Sequence, residues 1–218
     1  MKKFQNKKPV IAIDGTAGSG KGTLSKKIAK KLNFDHLDTG LLYRYLAYKR
    51  IRNEENVDEI DYSKIKKLDL TTREITKMSS IVAKEKATRQ KLLGFQRFFA
   101  NFPPSGFGSV IDGRDIGSVI VPNAEVKFFI DAKLEVRAKR RFLEYSEKGE
   151  NIGYNYVLEK LKERDKRDMN RKYSPLKIDK KAIMIDTSNK TQEECLNFAM
   201  KYLLNFIKNK PINHWIIW

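Results

Sequence analysis

Residues 11–23 read Ile-Ala-Ile-Asp-Gly-Thr-Ala-Gly-Ser-Gly-Lys-Gly-Thr: a short apolar run, a glycine-rich turn, then a lysine opening an amphipathic helical pattern. A loop in that setting turns its backbone N–H groups inward around a phosphate, and the helix N-terminus beneath it adds partial positive charge. Gly15, Gly18, Gly20 and Gly22 tolerate positive φ and let oxygens approach the backbone. The run Gly15, Thr16, Ala17, Gly18, Ser19, Gly20, Lys21, Gly22 and Thr23 is therefore the candidate cradle for a triphosphate. Lys21 can reach the β- and γ-phosphates, and the Thr23 hydroxyl is a candidate contact to Mg²⁺, if only through water. An ordinary tight turn also uses glycines, but it does not require strand, loop, lysine and helix in this order.

Outward from the loop, apolar runs at 10–14, 34–38, 109–112, 126–131 and 182–186 read as buried strands, each closing on an aspartate. Helical patterns lie between them at 21–32, 41–51, 72–102 (as two helices), 134–148, 154–170 and 192–208. Such alternation predicts an α/β fold, a parallel five-stranded sheet with helices on both faces and ligands at the carboxyl ends of the strands. Three segments stand apart. Residues 53–69 are charged and read as a loop or short surface insertion. The pattern at 154–170 starts with Val157, Leu158 and Leu161 and then turns polar on every side, so it either leaves the core for solvent or covers a polar ligand. Residues 211–218 carry Trp215 and Trp218 after a proline, and the sequence leaves open whether they dock or fray.

A chain of 218 residues, 40% of them hydrophobic, suits one globular domain. The single cysteine, Cys195, excludes an intramolecular disulfide and fits a reducing compartment; its helical context reads as a buried thiol rather than a nucleophile. No signal-peptide pattern and no stretch of membrane-spanning length is present, so a cytoplasmic monomer without a membrane partner is expected. The net charge of +18 is 45 Lys and Arg against 27 Asp and Glu, and the lysine pairs in it are dispersed. Aromatic–basic interleaving of the RNA-recognition type is missing, and His36 and His214 are too few for a zinc site. The charge reads as a field that attracts nucleotides, with nucleic acid not expected as a partner.

Three further stretches carry chemistry. In Leu-Asp-Thr-Gly-Leu-Leu-Tyr-Arg, 37–44, Thr39 is placed to cap the next helix. Arg44 would fall in that helix's first turn, where a cation costs about 0.3–1 kcal/mol unless an anion pairs with it. An arriving phosphate would supply that anion, and so would a nearby carboxylate. In Val-Ile-Asp-Gly-Arg-Asp-Ile-Gly, 110–117, a buried strand delivers Asp112, Arg114 and Asp115 to the ligand edge. In Lys-Glu-Arg-Asp-Lys-Arg-Asp-Met-Asn-Arg, 162–171, helical spacing puts Arg164, Asp168 and Arg171 on one face. A surface Arg164–Asp168 pair would contribute only about 0.3–0.5 kcal/mol, too little to need such a cluster. Arg137, Arg140 and Arg141 form another candidate phosphate clamp, since the planar guanidinium grips phosphate oxygens two at a time.

Together these stretches closely resemble the bacterial cytidylate kinases, in order and with compatible spacing over residues 10–208. The Gly22 between Lys21 and Thr23 is similar to the loop variant of nucleoside monophosphate kinases, and 72–99 also looks like that family. The resemblance implies Mg²⁺-dependent transfer of the ATP γ-phosphoryl group to CMP or dCMP, with Lys21, Arg140 and Arg164 as the catalytic group. It implies ATP phosphates on residues 15–23 and the monophosphate at Thr39, which stands where the family usually has serine, and Arg44. Ser80, Arg89 and Asp115 would read cytosine, Asp168 would contact ribose, and Arg114, Arg164 and Arg171 would surround the nucleotide and its phosphate. Arg140 would serve the ATP and transfer side. It further implies one P-loop kinase domain over 1–218: a core of 9–38, 105–150 and 182–208, an NMP-binding region 39–104, a helical lid 151–178 and a tail 209–218. The family's longer insertion after the Tyr-Arg helix is reduced here to 53–71. Alternatives are another monophosphate kinase, of UMP/CMP type, and a nucleic-acid-binding P-loop NTPase.

Overall fold

The computed structural model describes residues 8–54 and 60–208. The tail at 209–218 and residues 55–59 of the insertion lie outside the described residues. Strand β1 (Val10–Gly15) is buried along its whole length, as a strand covered on both faces must be. Its side chains alternate: Val10 and Ala12 enter one core, Ile11 and Ile13 the other. Strands β2 (Asp35–Asp38), β3 (Ser109–Gly113), β4 (Val126–Asp131) and β5 (Ile183–Asp186) complete a five-stranded sheet of order β2-β3-β1-β4-β5. Every pairing is parallel. The α/β expectation and the strand positions are thus borne out.

Helices α1 (Lys21–Leu32) and α8 (Gln192–Lys208) cover the face of Ile11 and Ile13 through Leu24, Ile28, Leu196, Ala199 and Leu203. Cys195 is buried there, as its helical context predicts. The opposite face carries α2 (Thr39–Ile51), α3 (Tyr62–Ile65), α4 (Arg73–Val82) and α5 (Lys86–Asn101). Helices α6 (Leu134–Glu147) and α7 (Tyr154–Asn170) pack through Ala138, Val157 and Leu161 against Ala17 of the glycine-rich loop. A fully buried Leu or Ile of this kind contributes about 1.5–3 kcal/mol relative to leaving it exposed.

One expectation needs correction. Part of segment 53–69 belongs to the body: Asp61 caps α3 by accepting the N–H groups of Ser63 and Lys64, and Tyr62 and Ile65, with Leu70 just beyond the segment, are buried in the α2–α5 core. Three apolar residues so spaced are too few to show as periodicity, yet enough to anchor a short segment. The polar half of α7 follows the second of its two readings: Lys162, Glu163, Lys166 and Asn170 face solvent, while Arg164 and Asp168 line a polar cleft. Asp165 and Asp168 are buried, paired with Arg137 at 2.7 Å and Arg114 at 2.8 Å.

Candidate active site

The loop after β1 enters α1 through Gly20, whose φ of +85° is a left-handed conformation that side chains disfavour. Gly20 provides no side-chain cap, so the first-turn N–H groups of α1 stay open to a ligand. The start of the loop is braced from below. Thr16 Oγ1 donates to Asp131 Oδ1 at 2.6 Å, and the Ala17 carbonyl accepts from Arg137 Nη1 at 3.1 Å. Gly15, Thr16 and Ala17 therefore shape the loop, while Gly18, Gly20, Lys21, Gly22 and Thr23 line the cleft.

That cleft, about 320 Å³, brings Lys21 and Thr23 together with Thr39, Arg44, Ser80, Asp112, Arg114, Asp115, Arg164, Asp168 and Arg171. Residues from β3, α2, α4 and α7 thus meet the loop at the carboxyl ends of the strands, where ligands gather in open α/β sheets. A neighbouring cavity of about 400 Å³ shares Gly18, Gly20 and Thr23 and is lined also by Ser19, Lys27, Arg140, Thr187 and Gln192. The glycine-rich loop lies between two compartments.

On the far side, Asp38 caps α2: its Oδ1 accepts from Leu41 N at 3.1 Å and its Oδ2 from Arg44 Nη2 at 2.8 Å. Thr39 is not the cap. It is the first helical residue, and its hydroxyl donates to the Asp112 carbonyl at 2.8 Å. Arg44 sits in the second turn and has the carboxylate neighbour that one reading allowed, while still lining the cleft. Gly113 lets this packing occur, because a Cβ there would lie 2.5 Å from Thr39 Oγ1. His36 Nε2 lies 2.6 Å from Asp112 Oδ2.

Asp115 is buried and gripped from two sides, by Arg89 Nη2 and by Arg171 Nη2 at 3.3 Å. Arg89 also spreads over the Tyr43 ring at 5.6 Å and does not itself line the cleft. Ser80 is buried, donating to the Lys77 carbonyl at 2.9 Å. Asp168 pairs with Arg114, not with Arg164 as helix spacing suggested. Arg171 lies just past the end of α7 in extended backbone, yet still points to the same group of residues. Arg140 does not line the cleft. Its guanidinium donates to Thr187 Oγ1 at 2.9 Å and to the Thr187 carbonyl at 2.6 Å, and it lines the neighbouring cavity. Arg141, one residue on, lines both that cavity and the cleft, and pairs with Glu144 at 2.6 Å. Arg137 is buried beneath the loop and makes no clamp on the cleft.

The electrostatics favour an anion. Burial, together with Arg114 and offset only in part by Asp112 and Asp38, pushes the Lys21 ammonium down to about 7. Burial and Arg114 bring Arg164 down to about 10. Burial works against ionisation of Asp38, but Arg44 and Lys21 outweigh it and hold that carboxyl low. Burial likewise opposes Asp168, and Arg114 and Arg164 overcome it.

The donor set also suits Mg²⁺. Among the described residues no group of three His, Cys, Asp or Glu side chains is placed to cage a metal. The cleft instead offers oxygens, the Thr23 hydroxyl and the Asp38 and Asp112 carboxylates, beside a phosphate loop. This matches an ion that keeps several waters and takes its other ligands from substrate phosphates. Asp38 was not singled out from sequence as a site residue; its position at a strand end was the available signal.

A parallel sheet whose central strand runs into a phosphate loop, facing an arginine-lined cleft, defines a P-loop kinase of the nucleoside monophosphate kinase type. Solved structures share the fold. An uncharacterized protein from Eubacterium ventriosum matches with a TM-score of 0.55 at 18% identity, over 93% of this chain and 100% of that one. A gluconokinase from Sinorhizobium meliloti matches with a TM-score of 0.51 at 12% identity, over 94% and 97%. The sequence is more specific. The cytidylate kinase family model matches residues 11–205. The cytidylate kinase of Bartonella bacilliformis is 44% identical, covering 91% of this chain and 96% of its own. Those of Paramagnetospirillum magneticum and Fusobacterium nucleatum are each 41% identical, covering 88% of this chain and 95% of theirs. The chain belongs to the cytidylate kinase family. Among the described residues no helix is long and apolar enough to cross a membrane.

Proposed function

We propose that this chain transfers the γ-phosphoryl group of ATP to CMP or dCMP, giving ADP and CDP or dCDP. The observation that carries the reading is that Lys21, Arg44, Arg114 and Arg164, from four separate segments, line one cleft. Phosphoryl transfer needs little covalent help; it needs two nucleotides aligned and spreading negative charge compensated. The N–H groups of 18–23 and Lys21 hold the donor phosphates, and the cavity lined by Arg140 and Gln192 takes the rest of the donor nucleotide. Arg44 and Arg114 fix the acceptor phosphate beside Thr39. Ser80 and Asp115 read the base edge, with Arg89 and Arg171 orienting Asp115, and Asp168 meets the ribose.

Lys21 and Arg164 stabilise the transferring group. Arg141 takes the transfer role that the resemblance gave to Arg140, because it lines both the cleft and the neighbouring cavity. Thr23, Asp38 and Asp112 would hold Mg²⁺, which when bound would supply charge neutralisation for the donor phosphates. Residues 39–104 form the NMP-binding region and 151–178 the lid, whose inner face carries Arg164, Asp168 and Arg171. Its closure would exclude water and prevent wasteful hydrolysis of ATP. The chain acts as a cytoplasmic monomer, without nucleic acid.

A coupled ADP-release assay over CMP, dCMP, UMP, AMP and GMP tests the reading. Stimulation by CMP and dCMP above the others is expected. Stimulation by UMP equal to that by CMP would favour a broader pyrimidine kinase, and failure of both cytidine nucleotides rejects the assignment.

A further inference from the structure

One buried carboxylate has no part in the scheme above. Asp14 is the fifth residue of β1, next to the glycine that opens the phosphate loop, and it is only 5% exposed. Its Oδ1 accepts the N–H of Ile116 at 2.7 Å and its Oδ2 the N–H of Gly117 at 2.8 Å. Those two amides begin a one-turn π-helix, Ile116–Ile120; Asp115 precedes it, but its side chain makes no capping bond. The residues just before them, Arg114 and Asp115, are the ones that reach Asp168, Arg89 and Arg171.

We propose that Asp14 is a positioning residue that fixes the acceptor-side turn, Arg114 and Asp115, relative to the phosphate loop without touching either nucleotide. This proposal rests on the two-nucleotide reading of the cleft. Each carboxylate oxygen is committed to one backbone amide, so the turn has a single seat on the strand. Only one residue, Gly15, separates that seat from Thr16, whose hydroxyl is itself tied to Asp131. Gly117 keeps the approach close: a Cβ there would lie 3.0 Å from Lys127 Cδ and 3.5 Å from Asp14 Oδ2. Lys127 does not neutralise Asp14, because its ammonium pairs with Asp179 at 2.8 Å. Burial pushes the Asp14 carboxyl up to about 7 despite the two amides. A charged group is costly at this depth, and a side chain needed only for packing would be apolar. An apolar side chain, however, would leave both amides without their acceptor.

The test compares wild type with D14N, which keeps the shape but sets an NH₂ group against one of the two amides. Losing one such bond at a seat that orients two binding residues should raise the CMP dissociation constant and KM about tenfold. Affinity for a non-hydrolysable ATP analogue, by calorimetry, should stay within about twofold, since a tenfold effect is reserved for the side that loses its bond. Equal weakening of both ligands, or a lowered Tm with unchanged binding, overturns the proposal.

A second measurement needs no variant. In the wild-type protein, exchange of the Ile116 and Gly117 amides should slow when CMP binds and stay unchanged with the ATP analogue, by reciprocity of coupling. Indifference to CMP, or an equal response to the analogue, overturns it too. Should the wild type prefer another monophosphate, the base assignment fails separately, and the same measurements apply with that nucleotide.

Discussion

The hydroxyl of Tyr62 accepts a hydrogen bond of 2.9 Å from the backbone N–H of Asp38. The abbreviated insertion thereby supports the strand end whose carboxylate caps α2 and holds Arg44. Tyr62 is otherwise packed among Phe95 and Phe99, with ring centroids 6.4 and 6.1 Å away, so replacing it with phenylalanine removes the acceptor and keeps the packing. Y62F should lose about 1 kcal/mol of stability in urea unfolding. Because Asp38 also orients Arg44, KM for CMP should rise by about threefold while KM for ATP holds, a split that a purely local loss would not produce. Unchanged KM values for both nucleotides would disconnect the insertion from the acceptor side.

Burial, and after it Arg114, disfavour the charge on Arg164, and Asp168 relieves this only in part, so an arriving anion is favoured there. R164A should therefore lower kcat by about 10²-fold, the scale of losing one transition-state donor, with KM for CMP changed far less. The Tm should fall by no more than about 4 °C, the shift that roughly 1 kcal/mol produces in a protein of this size. A rise in KM with kcat intact would assign Arg164 to ground-state binding.

Lys21, held at about 7, is mostly neutral at pH 8 before nucleotide binds. In the unfolded chain it titrates near the ordinary lysine value, so between about 7 and 10 the unfolded state binds more protons and folding stability rises with pH. A polyphosphate beside the ammonium restores the charged form. ATP binding at pH 8 should thus be accompanied by uptake approaching about one proton, falling towards zero by about pH 6, where Lys21 is already charged. Calorimetry in buffers of differing ionisation enthalpy measures this directly. Proton release at pH 8 would contradict it.

Asp115 is the shared partner of two buried guanidinium groups. D115N leaves Arg89 and Arg171 without their counter-charge, which should cost about 3 kcal/mol and lower Tm by roughly 6–12 °C. Preference for CMP over UMP should fall by at least about tenfold, because the polar group proposed to read the base has been altered. A variant that keeps both Tm and base preference would remove Asp115 from each role.

Much of the donor side could be read without coordinates, for local reasons. The bounds of α1, α7 and α8 match the periodic segments, because capping and apolar spacing act within a few residues. The acceptor side was less legible. Arg164 and Asp168 are four residues apart and share a helix, yet Asp168 takes Arg114, 54 residues away, at 2.8 Å. Arg140 and Arg141 are adjacent and chemically identical, and only the pitch of α6 ties one to Thr187 and lets the other reach the cleft as well as the neighbouring cavity. The π-helix at Ile116–Ile120 has no sequence signature, since it is seated by a carboxylate 102 residues earlier.

What this sequence determined alone is the kind of backbone it makes: a strand feeding a phosphate loop, parallel strands alternating with helices, and charged residues delivered to one edge. Those outcomes follow from glycine conformational freedom, side-chain periodicity and strand handedness, all of which act over short stretches. Which charge meets which was decided by the tertiary structure. A buried ion pair is set by where distant elements bring their side chains in a medium of low polarity, and no spacing along the chain encodes that.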